Sequence, residues 1–144
     1  MRRPLLPAAA LSLALLGAAG CATPAPLGAD GQARLATLLP ADALLLGEQH
    51  DAPAHQQLQR QAVQWLAARG ELAALALEMA EQGRSTAGLP RDASEADVQH
   101  ALAWRDAGWP WKTYRLVVMA AVRAGVPVLG ANLPAERQRE AMRD

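Results

Sequence analysis

Apolar residues along the chain follow two alternating periods, and this alternation predicts a layered α/β domain. Three continuous apolar runs, at residues 43–47, 72–79 and 126–132, are typical of strands buried on both faces. The segments between them carry apolar residues at helical spacing. Because buried strands that alternate with helices form parallel sheets with right-handed crossovers, we expect a parallel β-sheet of three strands with flanking helices.

Proline, glycine and one capping motif mark the ends of the predicted helices. Pro53 and Gly70 bracket the longest of them. Ser94, with Asp97 three positions later, predicts a helix start of the capping-box type. The helices are expected over residues 32–39, 53–69, 95–105 and 111–124, and from 135 onward.

The first twenty residues have the pattern of a secretory signal. Arg2 and Arg3 precede an apolar stretch that is too short to span a bilayer, and small residues at 17–20 precede the single cysteine, Cys21. This resembles a bacterial lipoprotein signal in which Cys21 is lipidated; the alternative is ordinary signal cleavage with an incidental cysteine. Ala22 in place of aspartate favours the outer membrane. Residues 21–31 are expected to form a flexible tether, and residues 32–144 the folded domain.

Length and charge limit the possible functions. A chain of 144 residues forms one domain at most, and its 14 basic and 14 acidic residues cancel. Removal of residues 1–20 takes away two arginines, so the mature chain carries 12 basic and 14 acidic residues, a net charge of −2. This balance gives no electrostatic reason to expect nucleic acid as a partner.

Polar side chains follow each predicted strand. Glu48 and His50 come directly after the first, Glu78 lies near the end of the second, and Asn132 ends the third. Since parallel strands end at one edge of a sheet, these side chains are expected to line one pocket. Simpler interpretations remain open: Glu48 as a helix cap, His50 as a structural histidine and Asn132 as a turn residue.

Residues 104–115 hold three of the four tryptophans and the only tyrosine. They either fill the core of a chain without phenylalanine or form the flat apolar wall of a ligand site. Tyr114 is a candidate phenolate ligand for ferric iron, as in some haem proteins. Arg115, four residues after Trp111, is a candidate for a cation–π contact with it or for binding a ligand carboxylate.

Four segments, "LLGEQHDAPAHQQLQ", "LALEM", "WPWKTYR" and "PVLGANLP", occur in this order. Together they resemble the ChaN-type haem-binding lipoproteins of the Tiki superfamily over about residues 41–144. The resemblance implies a bacterial lipoprotein of haem and iron uptake, with haem in a strand-end cleft and a possible homodimer. It also implies that the iron ligand is either His50 or Tyr114. The expected ligand-binding residues are Glu48, His50, Glu78, Trp109, Trp111, Tyr114, Arg115 and Asn132.

Two alternatives accompany this interpretation. The wider superfamily resembles metal-dependent hydrolases, in which Glu48, His50 and Glu78 would hold a divalent ion that activates water. Members of the family are also usually longer than this chain, so an inactive truncated fragment, the N-terminal portion of such a domain, is the third possibility. The first interpretation makes the protein a haem-binding protein rather than an enzyme.

Overall fold

The computed structural model describes residues 27–143, which contain two parallel strands and five helices. The predicted signal segment and Cys21 lie outside this part. No helix within residues 27–143 is long and apolar enough to cross a membrane. In chain order the elements are α1 (Ala29–Ala36), α2 (Pro53–Ala68), β1 (Leu75–Glu81), α3 (Glu95–Ala101), α4 (Trp111–Ala124), β2 (Val128–Asn132) and α5 (Ala135–Ala141).

The predicted helix boundaries are confirmed where the chain carries a strong stop or start signal. α4 ends at Gly125, whose φ of 78° is the left-handed conformation that glycine adopts without strain. α3 begins with the predicted capping box, in which Ser94 and Asp97 bond each other's backbone N–H groups. This helix ends at Ala101, before the predicted residue 105, because Ala103 has a positive φ of 47°. α1 begins at Ala29, so the last residues of the predicted tether belong to it.

The strands β1 and β2 pair in parallel, as predicted for the second and third apolar runs. Pairing begins at Leu75 and Val128, directly after Pro127, whose ring nitrogen has no proton to donate. The ladder becomes irregular after Leu77, where Gly130 lies against the backbone of Glu81 so closely that a Cβ atom would stand 1.9 Å from the carbonyl oxygen. Glycine is therefore required at position 130.

The predicted first strand is wrong. Residues 43–47 have no regular secondary structure, and the sheet of the described residues contains only β1 and β2. Leu44 packs against a small cluster between α1 and α2, whereas the side chain of Leu45 is 92% exposed and that of Leu46 is 42% exposed. An apolar run becomes a buried strand only when a neighbouring strand and a covering layer are available, and here only Leu44 packs against the cluster between α1 and α2.

The main core lies around α4, which packs against α2 on one side and contacts β2. Val118, Ala121 and Val128 are completely buried, and Tyr114 is buried among them. Burial of a valine contributes about 1.5–3 kcal/mol, so the apolar side of α4 is the main source of stability for this region. Tyr114 is thus held on a rigid helix.

Candidate functional site

The side chains of Glu48 and His50 form a direct pair in the loop before α2. Nδ1 of His50 lies 2.7 Å from Oε1 of Glu48. The side chain of Glu48 is only 6% exposed, whereas that of His50 is 49% exposed. Because a carboxylate accepts hydrogen bonds, the proton of a neutral His50 ring is on Nδ1. Within residues 27–143 no hydrogen bond reaches the other ring nitrogen, Nε2, which keeps a free lone pair.

Tyr114 meets this pair from α4. Its hydroxyl oxygen lies 3.3 Å from Nδ1 of His50. Burial raises the pKa of Tyr114 well above its ordinary value, and the nearby carboxylates of Glu48 and Glu78 raise the pKa further. Tyr114 is therefore a neutral phenol.

The first turns of α2 hold the loop of Glu48 and His50 in place. Nε2 of the buried Gln56 lies 3.3 Å from Oε2 of Glu48 and from the carbonyl oxygen of Gln49, and 3.4 Å from the carbonyl oxygen of His50. The backbone N–H of Gln49 donates to Nδ1 of His55 at 2.9 Å. Four hydrogen bonds thus tie the loop to the helix.

Aromatic rings surround the other side of His50. The rings of His50 and Trp109 meet edge to face with centroids 4.8 Å apart, and Trp109 and Tyr114 are 6.0 Å apart. Trp104 packs on Tyr114 at 5.9 Å and donates its indole N–H to the carbonyl oxygen of Trp109 at 2.8 Å. We call Glu48, His50, Trp109 and Tyr114 together the His50 site.

Trp111 and Arg115 both contact Glu95, and not each other or a ligand position as expected. Trp111 is buried, reaches the His50 site only through Trp104 at 4.9 Å, and donates its indole N–H to Glu95 at 2.7 Å. Arg115 forms an ion pair with the same carboxylate. The hydrogen bond from Arg115, followed by that from Trp111, lowers the pKa of Glu95. Arg115 also lines an open groove between α2 and α4 with Arg123.

Glu78 and Asn132 lie outside the hydrogen-bonded cluster. Glu78 was expected to be partly buried, but its place on β1 is exposed, and it reaches the His50 site only through its charge on Tyr114. The side chain of Asn132 accepts a hydrogen bond from Gln138 of α5 at 2.9 Å. Of the four residues expected to converge at strand ends, only Glu48 and His50 lie together, and they lie in a loop rather than after a strand. Asn132 belongs to the junction of β2 and α5. Tyr114 joins the pair from α4.

The alternative of a divalent metal ion on Glu48, His50 and Glu78 needs three ligand side chains close together. No three His, Cys, Asp or Glu side chains in residues 27–143 lie close enough together to hold one. Glu48 and His50 form a pair without a third ligand, because Glu78 is not within their cluster. The alternative of a hydrolase with a divalent ion on Glu48, His50 and Glu78 has no support in this geometry.

Two residues that contact the His50 site, Gln56 and Trp104, were not among the expected ligand-binding residues. Gln56 is one of several glutamines in α2, but it lies seven residues before the buried Val63 and so on the same side of the helix. The sequence signal for Gln56 was a polar residue on the side of the helix that also carries buried apolar residues. Trp104 belongs to the aromatic segment but precedes the glycine–proline break around which the prediction was centred.

A comparison with known protein families gives a match. The model of a family described as "Haem-binding uptake, Tiki superfamily, ChaN" matches residues 34–144, which cover the whole of the His50 site. No curated protein and no solved structure matches the chain significantly.

Proposed function

The chain belongs to the haem-binding uptake family, ChaN, of the Tiki superfamily, and on this premise we propose that it binds haem at the His50 site as part of haem or iron uptake. Haem is the cargo in this proposal, and the protein supplies the axial ligand and an apolar surface for the macrocycle. The observation that carries the proposal is the half-exposed ring of His50, with Nδ1 engaged by Glu48 and Nε2 free of hydrogen bonds from residues 27–143.

This arrangement matches what an iron-binding histidine requires. A metal-ligating histidine typically donates its second ring N–H to a carboxylate, which fixes the tautomer and increases the basicity of the ligating nitrogen. Glu48 is in that position, at 2.7 Å from Nδ1. Nε2 of His50 is then the nitrogen that binds iron.

The charge of Glu48 also suits ferric haem. The hydrogen-bond partners of its buried carboxylate in the described part of the chain are Gln56 and His50, and no arginine or lysine is among them. A buried carboxylate without a cationic partner is costly. The net positive charge of a ferric porphyrin core on His50 would compensate it.

Of the two candidate iron ligands, His50 is better suited than Tyr114, because its free Nε2 does not have to lose a proton. Tyr114 would have to lose its proton to bind ferric iron as a phenolate. Its pKa is raised by burial and by the adjacent carboxylate, so the neutral phenol is strongly favoured. We assign Tyr114 the role of a neutral phenol that packs beside the imidazole of His50.

The aromatic side of the site fits a flat apolar ligand. Trp109 is partly buried and stands beside the imidazole of His50, so its ring offers apolar surface next to the iron position. Trp104 supports it from behind through the hydrogen bond to its carbonyl oxygen. Trp111 and Arg115 are engaged with Glu95 and are not required for this contact.

The test is a titration of the soluble mature protein, residues 22–144, with ferric haem, followed through the Soret band. We expect a saturable shift for the wild-type protein and for His100→Ala, a control at an exposed histidine of α3. His50→Ala should remove the imidazole-type spectrum and leave only weak haem binding, and Tyr114→Phe should weaken binding without removing that spectrum. No shift in the wild-type protein would disprove haem binding. A loss confined to Tyr114→Phe would assign the iron ligand to the phenolate instead.

The proposal includes an anchor at the outer membrane through a lipid on Cys21. Its support is the N-terminal sequence, in which small residues precede Cys21 and Ala22 follows it. Expression of the full chain in a bacterium with radiolabelled palmitate should label the wild-type protein and not Cys21→Ser, and the label should fractionate with the outer membrane. Unlabelled wild-type protein would leave Cys21 as the incidental residue of an ordinary signal.

A further inference from the structure

We propose that Gln56 is the positioning residue of the His50 site: it acts on haem through Glu48 and His50 without touching haem itself. This inference rests on the proposed haem-binding function and adds to it a residue of α2 that controls the ligand. The buried side-chain amide of Gln56 lies within hydrogen-bond distance of three acceptor oxygens in the loop that precedes α2.

Gln56 connects the loop of Glu48 and His50 to a helix that the core holds in place. It lies in the first two turns of α2, and the same helix is fixed further along by the buried residues Ala62, Val63 and Leu66. The loop of Glu48 and His50 is itself irregular. Loops carry ligands well only when a rigid element holds them, and Gln56 supplies that attachment.

The three contacts of Gln56 act on the ligand in two ways. The bond to Oε2 of Glu48 leaves Oε1 directed at Nδ1 of His50, so it orients the carboxylate. The bonds to the carbonyl oxygens of Gln49 and His50 set the backbone from which the imidazole projects. The amide has two N–H groups for these three acceptors, which are 3.3–3.4 Å away, so the protons are shared among them.

A residue with this role differs measurably from a residue that only stabilises the fold. Outer-shell partners of metal ligands typically change affinity by about 10–100-fold when they are replaced. Their effect also disappears once the ligand they orient has been removed, which a double-mutant cycle detects. Loss of folding stability alone would produce neither result.

The experiment measures the haem dissociation constant of soluble mature variants from the Soret band, with urea unfolding of the haem-free proteins alongside. Gln56→Met keeps the size of the side chain and removes the amide. It should raise the dissociation constant about 10–100-fold. Gln64→Met, a matched change at an exposed position of the same helix, should not alter it. Gln56→Glu, which keeps the shape and the polarity, should also weaken binding because its carboxylate repels Glu48.

The double variants decide how Gln56 acts. In a His50→Ala background, whatever weak haem binding remains should be the same with Gln56 and with Gln56→Met. Wild-type binding that is unchanged by Gln56→Met would overturn the inference while leaving the proposed function intact. An equal loss in both backgrounds would also overturn it, since Gln56 would then act elsewhere. Absence of haem binding by the wild-type protein would remove the proposed function, and this inference with it.

Discussion

Trp111 and Arg115, one turn apart on α4, donate hydrogen bonds to the same carboxylate, that of Glu95 at the start of α3. The predicted cation–π contact between them does not form; in the described part of the chain, Arg69 lies over Trp65 instead, 4.6 Å from the ring centroid. A carboxylate near a helix N-terminus is favoured by the helix dipole, and here it also joins α3 to α4. The shared acceptor thus makes Glu95 a structural residue.

Glu95→Gln should lower the free energy of unfolding at pH 7 by about 1 kcal/mol, the discounted value for a partly exposed charged hydrogen bond. The pKa of Glu95 is lowered in the folded protein from an ordinary value of 4.5. Its contribution is therefore fully present above that value and is lost as the pH falls through the folded pKa. Urea unfolding at pH 7 and at successively lower pH should show the difference between Glu95→Gln and wild type shrinking as the pH falls. Asp92→Asn, at an exposed carboxyl before α3, is the control.

Ionisation of Tyr114 can be followed without labels because it is the only tyrosine of the chain. Its raised pKa predicts no tyrosinate absorbance step near the ordinary pKa of 10.0 in the folded protein, and a normal step in denaturant. Since the folded pKa lies above the unfolded one, the stability that depends on this group is complete below pH 10.0 and falls as the pH rises further. A step near pH 10 in the folded protein would show that the hydroxyl is not buried beside Glu48.

Gly130→Ala should be strongly destabilising, by about 3 kcal/mol or more, because the new methyl group collides with backbone that cannot move without breaking the β1–β2 ladder. A Cβ at this position stands 1.9 Å from the carbonyl oxygen of Glu81. Gly47→Ala is the matched control, since no atom lies within 4 Å of its Cβ. Urea unfolding compares the two. Equal stabilities for both variants would contradict the strand register described above.

Leu45→Ser should change the free energy of unfolding by less than about 0.5 kcal/mol, because its side chain is 92% exposed and a surface substitution has little effect. Leu77→Ala, in the core on β1, should cost about 2–5 kcal/mol. Thermal unfolding of the haem-free protein distinguishes them. A large loss for Leu45→Ser would mean that residues 43–47 are buried in solution, as the apolar pattern alone predicted.

The sequence predicted the elements whose signals are local. The start of α2 at Pro53, the capping box of Ser94 and the end of α4 at Gly125 depend on residues within one turn, and all three form. The prediction of a strand at residues 43–47 is wrong because strand formation depends on a partner strand elsewhere in the chain. Its composition is the same whether that partner is present or absent.

The His50 site was predicted only in part, because some of its contacts depend on packing between distant parts of the chain. Glu48 and His50 are two residues apart, and Tyr114 was chosen for its chemistry, so the sequence brought all three into consideration. The partners of Trp111 and Arg115 could not be foreseen, since Glu95 lies on a separate helix whose packing angle no local pattern specifies. Gln56 was hidden among similar glutamines, and only its burial distinguishes it.

The packing of Trp104 and Trp109 against Tyr114, with Trp111 against Trp104, has a practical consequence for spectroscopy. The ring of Trp109 lies in direct contact with that of His50. A haem bound at His50 would accept excitation energy from this tryptophan. Quenching of tryptophan fluorescence would then report occupancy at protein concentrations far below those that absorbance requires.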